Sequence, residues 1–65
     1  MRTQEEFEEI QENAMNGNWT DAGNLCEEYG FYANDLINAW NNSDYKMIEA
    51  TDLALLAELA QKARG

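Results

Sequence analysis

Three short breaks divide the chain into segments of helical length. They lie at Asn16-Gly17-Asn18, at Gly30 and at Asn41-Asn42-Ser43, and no proline interrupts the segments between them. Glycine suits the left-handed backbone conformation that commonly follows a helix end. Between the breaks apolar residues recur at helical spacing, and the signals for strands are weak. The sequence therefore predicts one small all-α domain over residues 1–65, a compact bundle of three or four helices.

The first predicted helix starts at a capping box. Thr3 and Glu6 have the spacing at which a threonine side chain bonds a backbone amide of the first turn and a glutamate reaches back. Phe7, Ile10 and Ala14 then recur on one helical face. We expect this face to be buried and the helix to end at the first break.

The next two predicted helices flank Gly30. The second begins with a cap at Thr20 or Asp21 and ends at Gly30, and the third runs from Phe31 to about Asn41. Apolar residues at helical spacing give the expected core positions of both helices. These are Ala22, Leu25, Cys26 and Tyr29 in the second helix, and Phe31, Leu36, Ala39 and Trp40 in the third.

The last segment carries the strongest helical pattern. With Ser43 as its cap, the helix is predicted to run from Asp44 to about Ala63, unless Thr51 caps a fresh helix. The run LALLAELA spreads apolar residues over more than one stripe, which is typical of a helix buried on several sides. Short chains without covalent staples often gain stability by self-association. A homodimer through the leucines of this run is therefore one hypothesis: Leu53, Leu55, Leu56 and Leu59.

The composition argues against several classes of site and activity. One cysteine and no histidine leave neither an internal disulfide nor a structural zinc site, and no calcium-binding loop motif occurs. Without histidine or a glycine-rich phosphate loop, we expect no enzymatic activity, no cofactor and no metal. Cys26 is expected to be an inert core residue, because its neighbours Glu27 and Glu28 would raise its pKa.

No secretory leader and no membrane span is visible in the sequence. The N-terminal stretch MRTQEEFEEI contains no apolar leader segment, and no apolar run reaches the length of a membrane span. The expectation is a cytoplasmic protein whose single cysteine is reduced.

Acidic residues dominate the charge of the chain. It has 13 acidic and 4 basic residues, a formal net charge of −9, and the stretch from Thr3 to Tyr45 contains no Lys or Arg. Such a surface repels phosphate and attracts basic surfaces. Four glutamates share one helix face by their spacing: Glu5, Glu8, Glu9 and Glu12. This face is either a solvated, solubilising surface or a binding surface for a basic partner.

The candidate binding residues are acidic side chains and two aromatic ones. Trp and Tyr are frequent anchors of binding surfaces, and Trp19 in a turn and Tyr32 on the third helix suit that role. Trp19 is equally suited to packing over the start of the second helix. The full candidate set for partner binding is Glu5, Glu8, Glu9, Glu12, Trp19, Glu27, Glu28, Tyr32 and Asp35.

The stretch from Leu25 to Trp40 resembles a helix-turn-helix motif. Cys26 stands where the motif has a small residue, Gly30 is the turn glycine, and Leu36 and Ala39 are buried positions of the second helix. The resemblance implies two helices that meet at a tight corner. In a DNA-binding motif the exposed side of the second helix would carry residues without a positive charge: Tyr32, Asn34, Asp35 and Asn38.

These observations favour two functional hypotheses. The first is a small acidic module that binds a basic surface of another protein, for example an inhibitor whose carboxylates mimic the phosphates of a nucleic acid. In size and composition the chain is similar to the small acidic proteins of bacteriophages that redirect or block host factors. The alternative is a helix-turn-helix transcriptional regulator, or an accessory protein that acts on DNA or on a DNA-bound protein. A self-associating structural protein is a third class.

Overall fold

The structure is a computed structural model that describes residues 2–65 and places four α-helices within them. Helix α1 spans Gln4–Met15, α2 spans Trp19–Tyr29, α3 spans Ala33–Asn42 and α4 spans Ala50–Arg64. The predicted all-α bundle is confirmed. Among these four helices, none combines the length and apolar character that a membrane crossing requires.

Helix α1 begins and ends as predicted. The backbone N–H of Glu6 donates to Thr3 Oγ1 at 3.1 Å, and the Glu6 carboxylate accepts from the backbone N–H of Thr3 at 3.1 Å. This reciprocal pair satisfies two amides that a helix start otherwise leaves free. After the helix, Gly17 adopts the left-handed conformation with φ of 83°.

The core lies between α2 and α4 and is closed by α1 and α3. Helix α2 packs most extensively against α4, while α3 makes a smaller contact with α4. All four helices and the connections at residues 30–32 and 43–49 contribute buried apolar side chains. These are Phe7, Ile10, Ala14, Ala22, Cys26, Phe31, Leu36, Ile48, Leu53, Leu56 and Ala60.

Gly23 allows the close approach of α2 and α4. A Cβ atom placed on Gly23 would lie 2.8 Å from the Cβ of Leu59 and 3.2 Å from its carbonyl group. Real Cβ atoms do not approach other atoms that closely, so the two helix backbones meet here only because residue 23 has no side chain.

The starts of α2 and α3 differ from the prediction. Helix α2 begins at Trp19, so Thr20 and Asp21 lie inside its first turn and neither is the cap. Helix α3 begins at Ala33 rather than at Phe31. The reason is that Gly30 turns left-handed at φ of 79°, Phe31 is not helical, and Tyr32 is extended before the helix starts.

Phe31 lies before the start of α3, and its side chain is buried in the core. It is almost fully buried, and its ring centroid lies 5.9 Å from that of Phe7. Its backbone N–H donates to the carbonyl of Cys26 at 2.8 Å, and its own carbonyl accepts from Arg64 at 2.7 Å. The turn is therefore held by one large apolar contact and by bonds to both backbone groups of Phe31.

The last helix starts later than predicted. Helix α4 begins at Ala50, and Ser43 closes α3 instead of capping α4. The segment of residues 43–49 has no helix, because it buries Ile48 and places the Ile48 carbonyl 2.8 Å from the indole N–H of Trp40. A fresh helix does begin close to Thr51, as the alternative predicted, but it starts at Ala50 with Glu49 as its cap, so Thr51 is not the capping residue.

One stripe of α4 is buried, not several sides. Leu53 and Leu56 face the core of the chain itself, Leu59 is half-buried against Gly23, and Leu55 is 40% exposed. Of the four leucines considered for a homodimer, Leu55 is thus the one that is clearly accessible to a second subunit.

We predict that the Gly23→Ala variant is less stable than the wild type by about 1–3 kcal/mol, the range seen when a packed site is overfilled. Alanine favours a helix interior by about 1 kcal/mol over glycine, so a loss of stability would show that the contact with Leu59 outweighs helix propensity. Urea unfolding measures the difference.

The matched control for this variant is Asn24→Ala. Asn24 is the next residue of α2 and is exposed, and alanine there only shortens an existing side chain, so it adds no atom to the contact with α4. If Gly23→Ala were as stable as the wild type or more stable, the close approach of α2 and α4 would be contradicted.

Candidate functional site

Four glutamates lie on the solvent side of α1. Their positions follow from the core contacts of the helix, because Phe7, Ile10 and Ala14 turn one stripe inward and leave the opposite side exposed. The exposed acids are those that the sequence predicted to share a face: Glu5, Glu8, Glu9 and Glu12.

Tyr29 joins the end of α2 to these glutamates. Its hydroxyl donates a hydrogen bond to Glu9 Oε1 at 2.7 Å. This bond raises the pKa of Tyr29 to about 12, with further contributions from desolvation and from the charges of Glu9, Glu28 and Glu6. Glu28 therefore lies in the same electrostatic environment as the α1 glutamates. We call Glu5, Glu8, Glu9, Glu12 and Glu28 the acidic face.

Both arginines are committed to the turn between α2 and α3. The Nε atom of Arg2 lies 3.3 Å from Asp35 Oδ1, and its guanidinium donates to the carbonyl of Gly30 at 3.4 Å. The guanidinium of Arg64 donates to the carbonyl of Phe31 at 2.7 Å. Neither arginine pairs with the acidic face, and Arg2–Asp35 is the ion pair that the structure gives within residues 2–65.

The two lysines also lie away from the acidic face. Lys46 donates to the carbonyl of Ser43 at 3.0 Å and lies 5.0 Å from the centre of the Trp40 ring. Lys62 is in the last turn of α4 and lines a small cleft with Thr20 of α2. Since all four bases are placed elsewhere, the acidic face is not neutralised by described residues of this chain.

Three of the predicted binding residues have structural roles in this fold. Asp35 is paired with Arg2 and also accepts a hydrogen bond from the backbone N–H of Tyr32 at 2.9 Å. Trp19 is half-buried and packs against the core, as expected for a residue that covers the start of α2. Tyr32 is 58% exposed but has the guanidinium of Arg64 over its ring at 3.9 Å. Glu27 is exposed near the end of α2.

A pocket beside the acidic face was not predicted from the sequence. It has a volume of about 330 Å³ and lies between α1 and the connection to α4. Its lining residues are Gln4, Glu5, Glu8, Gln11, Ser43, Asp44, Tyr45 and Met47. Gln11 is 2% exposed, and its side-chain oxygen has no hydrogen-bond partner.

The sequence contains a partial signal for this pocket. Gln4, Glu8 and Gln11 are spaced by four and three residues, so they form a polar stripe next to the buried stripe of α1. The opposite wall comes from residues 43–47, which were predicted to be helical in part, and no local pattern places that segment against α1.

An apolar groove lies on another side of the molecule, between α3 and α4. It has a volume of about 390 Å³ and contains no charged side chain among its lining residues. Ile37 of α3, which is exposed, and Ala54 of α4 form part of its walls. The molecule therefore presents a charged face and an apolar groove as two distinct surfaces.

Cys26 lies in the core. It is fully buried, and this burial raises the pKa of its thiol to about 11, while the charge of Arg64 acts in the opposite direction. The sequence predicted the direction correctly but attributed it to Glu27 and Glu28. Within residues 2–65, no three carboxylate or thiol side chains come together as a metal site would require.

Comparisons with protein-family models, with curated proteins and with solved structures gave no match to this chain.

We predict that Tyr29 ionises at a higher pH than a free tyrosine, because its hydroxyl donates a hydrogen bond to Glu9 and several carboxylates disfavour the phenolate. The raised pKa of Tyr29 adds stability that is fully present below pH 10 and is lost as the pH rises through about 12. Ultraviolet absorbance of tyrosinate during an alkaline titration follows this step. Tyr29→Phe should remove the latest phase, and Glu9→Gln should move it to lower pH.

Glu12→Gln is the control for this titration, since it removes the same charge from an exposed position of α1. The assignment would be contradicted if Glu9→Gln and Glu12→Gln moved the titration equally, because the effect would then be general charge and not the bond to Glu9.

Proposed function

We propose that this protein is a small acidic module that binds a basic surface of a partner protein. The observation that supports the proposal is the acidic face, whose glutamates form no ion pair with any described base of the chain. A face that served only to keep an exposed helix solvated would ordinarily mix both signs of charge.

The arrangement has a cost that a basic partner would offset. Glutamates at three- and four-residue spacing on a helix destabilise it by about 0.2–0.5 kcal/mol per pair. Only Glu5 and Glu6 lie in the first turn, where the helix dipole favours negative charge. The more distant Glu9 and Glu12 gain little from the dipole, because its effect is confined to the first turn. Lys or Arg of a partner would replace the repulsion with attraction and would accelerate association.

A protein that handles nucleic acid is the partner class that fits this charge pattern. Such proteins carry Lys and Arg where they neutralise phosphates. Carboxylates held on a helical scaffold would occupy the same positions, and the module would then act as an inhibitor that competes with nucleic acid. The similarity in size and composition to small acidic bacteriophage proteins agrees with a role as an antagonist of a host factor.

The competing hypothesis is a helix-turn-helix regulator, which rests on the resemblance of Leu25 to Trp40. On α3, Asn34 and Asn38 are exposed, but Asp35 is paired with Arg2 and both arginines are bound at the turn. The remaining base near α3, Lys46, donates to the carbonyl of Ser43 and lies over the ring of Trp40, so the bases around this helix all have partners within the chain. A gel shift of duplex DNA at low salt would favour this hypothesis over ours.

We predict that partners captured from a bacterial lysate by the tagged protein are released by salt, because exposed charge pairs are screened. The same partners should be released by excess duplex DNA if the module competes with nucleic acid. The variant Glu12→Lys/Glu28→Lys should lose most of this binding. These positions lie outside the pocket beside α1 and outside the core.

Glu58→Lys is the control, because Glu58 is exposed on α4 and this substitution reverses one charge at a position away from the acidic face. It should retain the partners. If the partners remained bound in high salt, or if the Glu12→Lys/Glu28→Lys variant and the control bound equally well, the proposed function would be wrong. The apolar groove would then be the better candidate surface.

A further inference from the structure

We propose that the pocket between α1 and residues 43–47 receives an arginine side chain of the basic partner. This inference rests on the proposed function and names the chemical group that one part of the acidic region recognises. The main supporting observation is that the side-chain oxygen of Gln11 is buried and has no hydrogen-bond partner. Gln11 lines a pocket that also contains three carboxylates.

Gln11 is the first part of the argument. Its side-chain oxygen is buried and accepts no hydrogen bond. Such groups are rare in folded proteins, and leaving one unsatisfied costs about 1–3 kcal/mol. An apolar side chain would fill this position of α1 without that cost. A polar group kept there is explained if a donor from outside the chain completes its bonding.

The charge of the other lining groups favours a cationic donor as the ligand. The Ser43 hydroxyl lies 3.0 Å from Gln4 Oε1, and the Gln4 amide nitrogen donates to the carbonyl of Ala39 at 3.1 Å. Those two side chains are therefore engaged with each other and with α3. The remaining groups include the Gln11 amide and the Tyr45 hydroxyl, which can donate, but most are acceptors: the oxygen of Gln11 and the carboxylates of the pocket. These carboxylates belong to Glu5, Glu8 and Asp44.

The volume of the pocket and the separation of its carboxylates favour a guanidinium over a metal ion. No three carboxylates converge within residues 2–65 in the way that metal binding requires, and the volume of about 330 Å³ is that of a site for a side chain. A guanidinium offers five N–H donors in one plane and can bond several separated acceptors at once. An ammonium group is a compact charge and cannot span them in the same way.

Two further lining residues match the rest of an arginine side chain. Tyr45 is 75% exposed and offers a ring on which a guanidinium can stack. Met47 provides an apolar wall for the methylene groups of the stem. The neighbouring base, Lys46, is not part of the lining, because it bonds to the carbonyl of Ser43 and lies over Trp40.

The test is an NMR titration of the labelled protein with acetyl-glycyl-arginyl-glycinamide. Matched peptides with citrulline or lysine in place of arginine are the comparisons, because citrulline keeps the shape without the charge and lysine keeps the charge without the planar fork. The arginine peptide should shift the side-chain amide of Gln11 and the backbone amides of residues 43–47. The lysine peptide should shift them less, and the citrulline peptide should leave them unchanged.

The variant Gln11→Met separates binding from structure. Methionine has a similar length and is apolar, so it should raise the thermal midpoint by removing the unsatisfied oxygen. The same variant should weaken binding of the arginine peptide by about tenfold or more, as expected for the loss of a hydrogen bond to a charged group. A purely structural residue would not show this opposition of stability and binding.

Charge variants locate the site. Glu8→Gln removes a charge from the pocket, and Glu28→Gln removes one from the acidic face outside it. Glu8→Gln should weaken peptide binding more than Glu28→Gln. The inference would be overturned if both had the same effect, if the lysine or citrulline peptide bound as well as arginine, or if calcium chloride shifted the same amides at lower concentration.

The two proposals fail separately. If the pocket amides did not respond to arginine while Glu12→Lys/Glu28→Lys still abolished capture of the lysate partners, the proposed function would stand without an arginine pocket. If that capture were unchanged, the proposed function itself would fail, whatever the peptide did.

Discussion

The close contact of α2 with α4 at Gly23 is the constraint on which the rest of the structure depends. A chain of 65 residues has a small core, and its single cysteine cannot form an internal disulfide. It therefore needs its helix backbones close together. The absence of a side chain at Gly23 lets Leu59 seal one side of the core, while Cys26 and Leu56 are fully enclosed within it. With α2 and α4 joined in this way, α1 and α3 cover the remaining sides.

The same arrangement determines where the charges lie. Because α4 runs back to the turn after α2, Arg64 reaches the carbonyl of Phe31, and Arg2 reaches Gly30 from the other terminus. Two of the four bases of the chain thus stabilise a single turn and form no ion pair with the acidic face. The unbalanced charge of the acidic face is in this sense a consequence of how the fold is held together.

Local patterns predicted what local interactions determine. The capping box of Thr3 and Glu6, the left-handed Gly17 and the helix end at Gly30 were predicted correctly, because neighbours in sequence decide them. The predicted start of α4 at Asp44 was wrong. The observed start depends on the burial of Ile48 and on the hydrogen bond that the indole N–H of Trp40 donates to the Ile48 carbonyl. For the site, helical spacing predicted the α1 glutamates. Three other features depend on contacts between distant parts of the chain, which sequence spacing does not reveal. They are the position of Glu28 near the α1 glutamates, the ion pair of Asp35 with Arg2, and the pocket that Gln11 lines.

The central claim is that the acidic face meets basic side chains of a partner. Carbodiimide cross-linking tests it directly, since this reagent joins a carboxylate to a lysine in contact with it and leaves a bond that mass spectrometry assigns. The account predicts links from the partner to Glu5, Glu8, Glu9, Glu12 or Glu28. Links confined to Glu49, Asp52 and Glu58 around α4, with none on the acidic face, would contradict it.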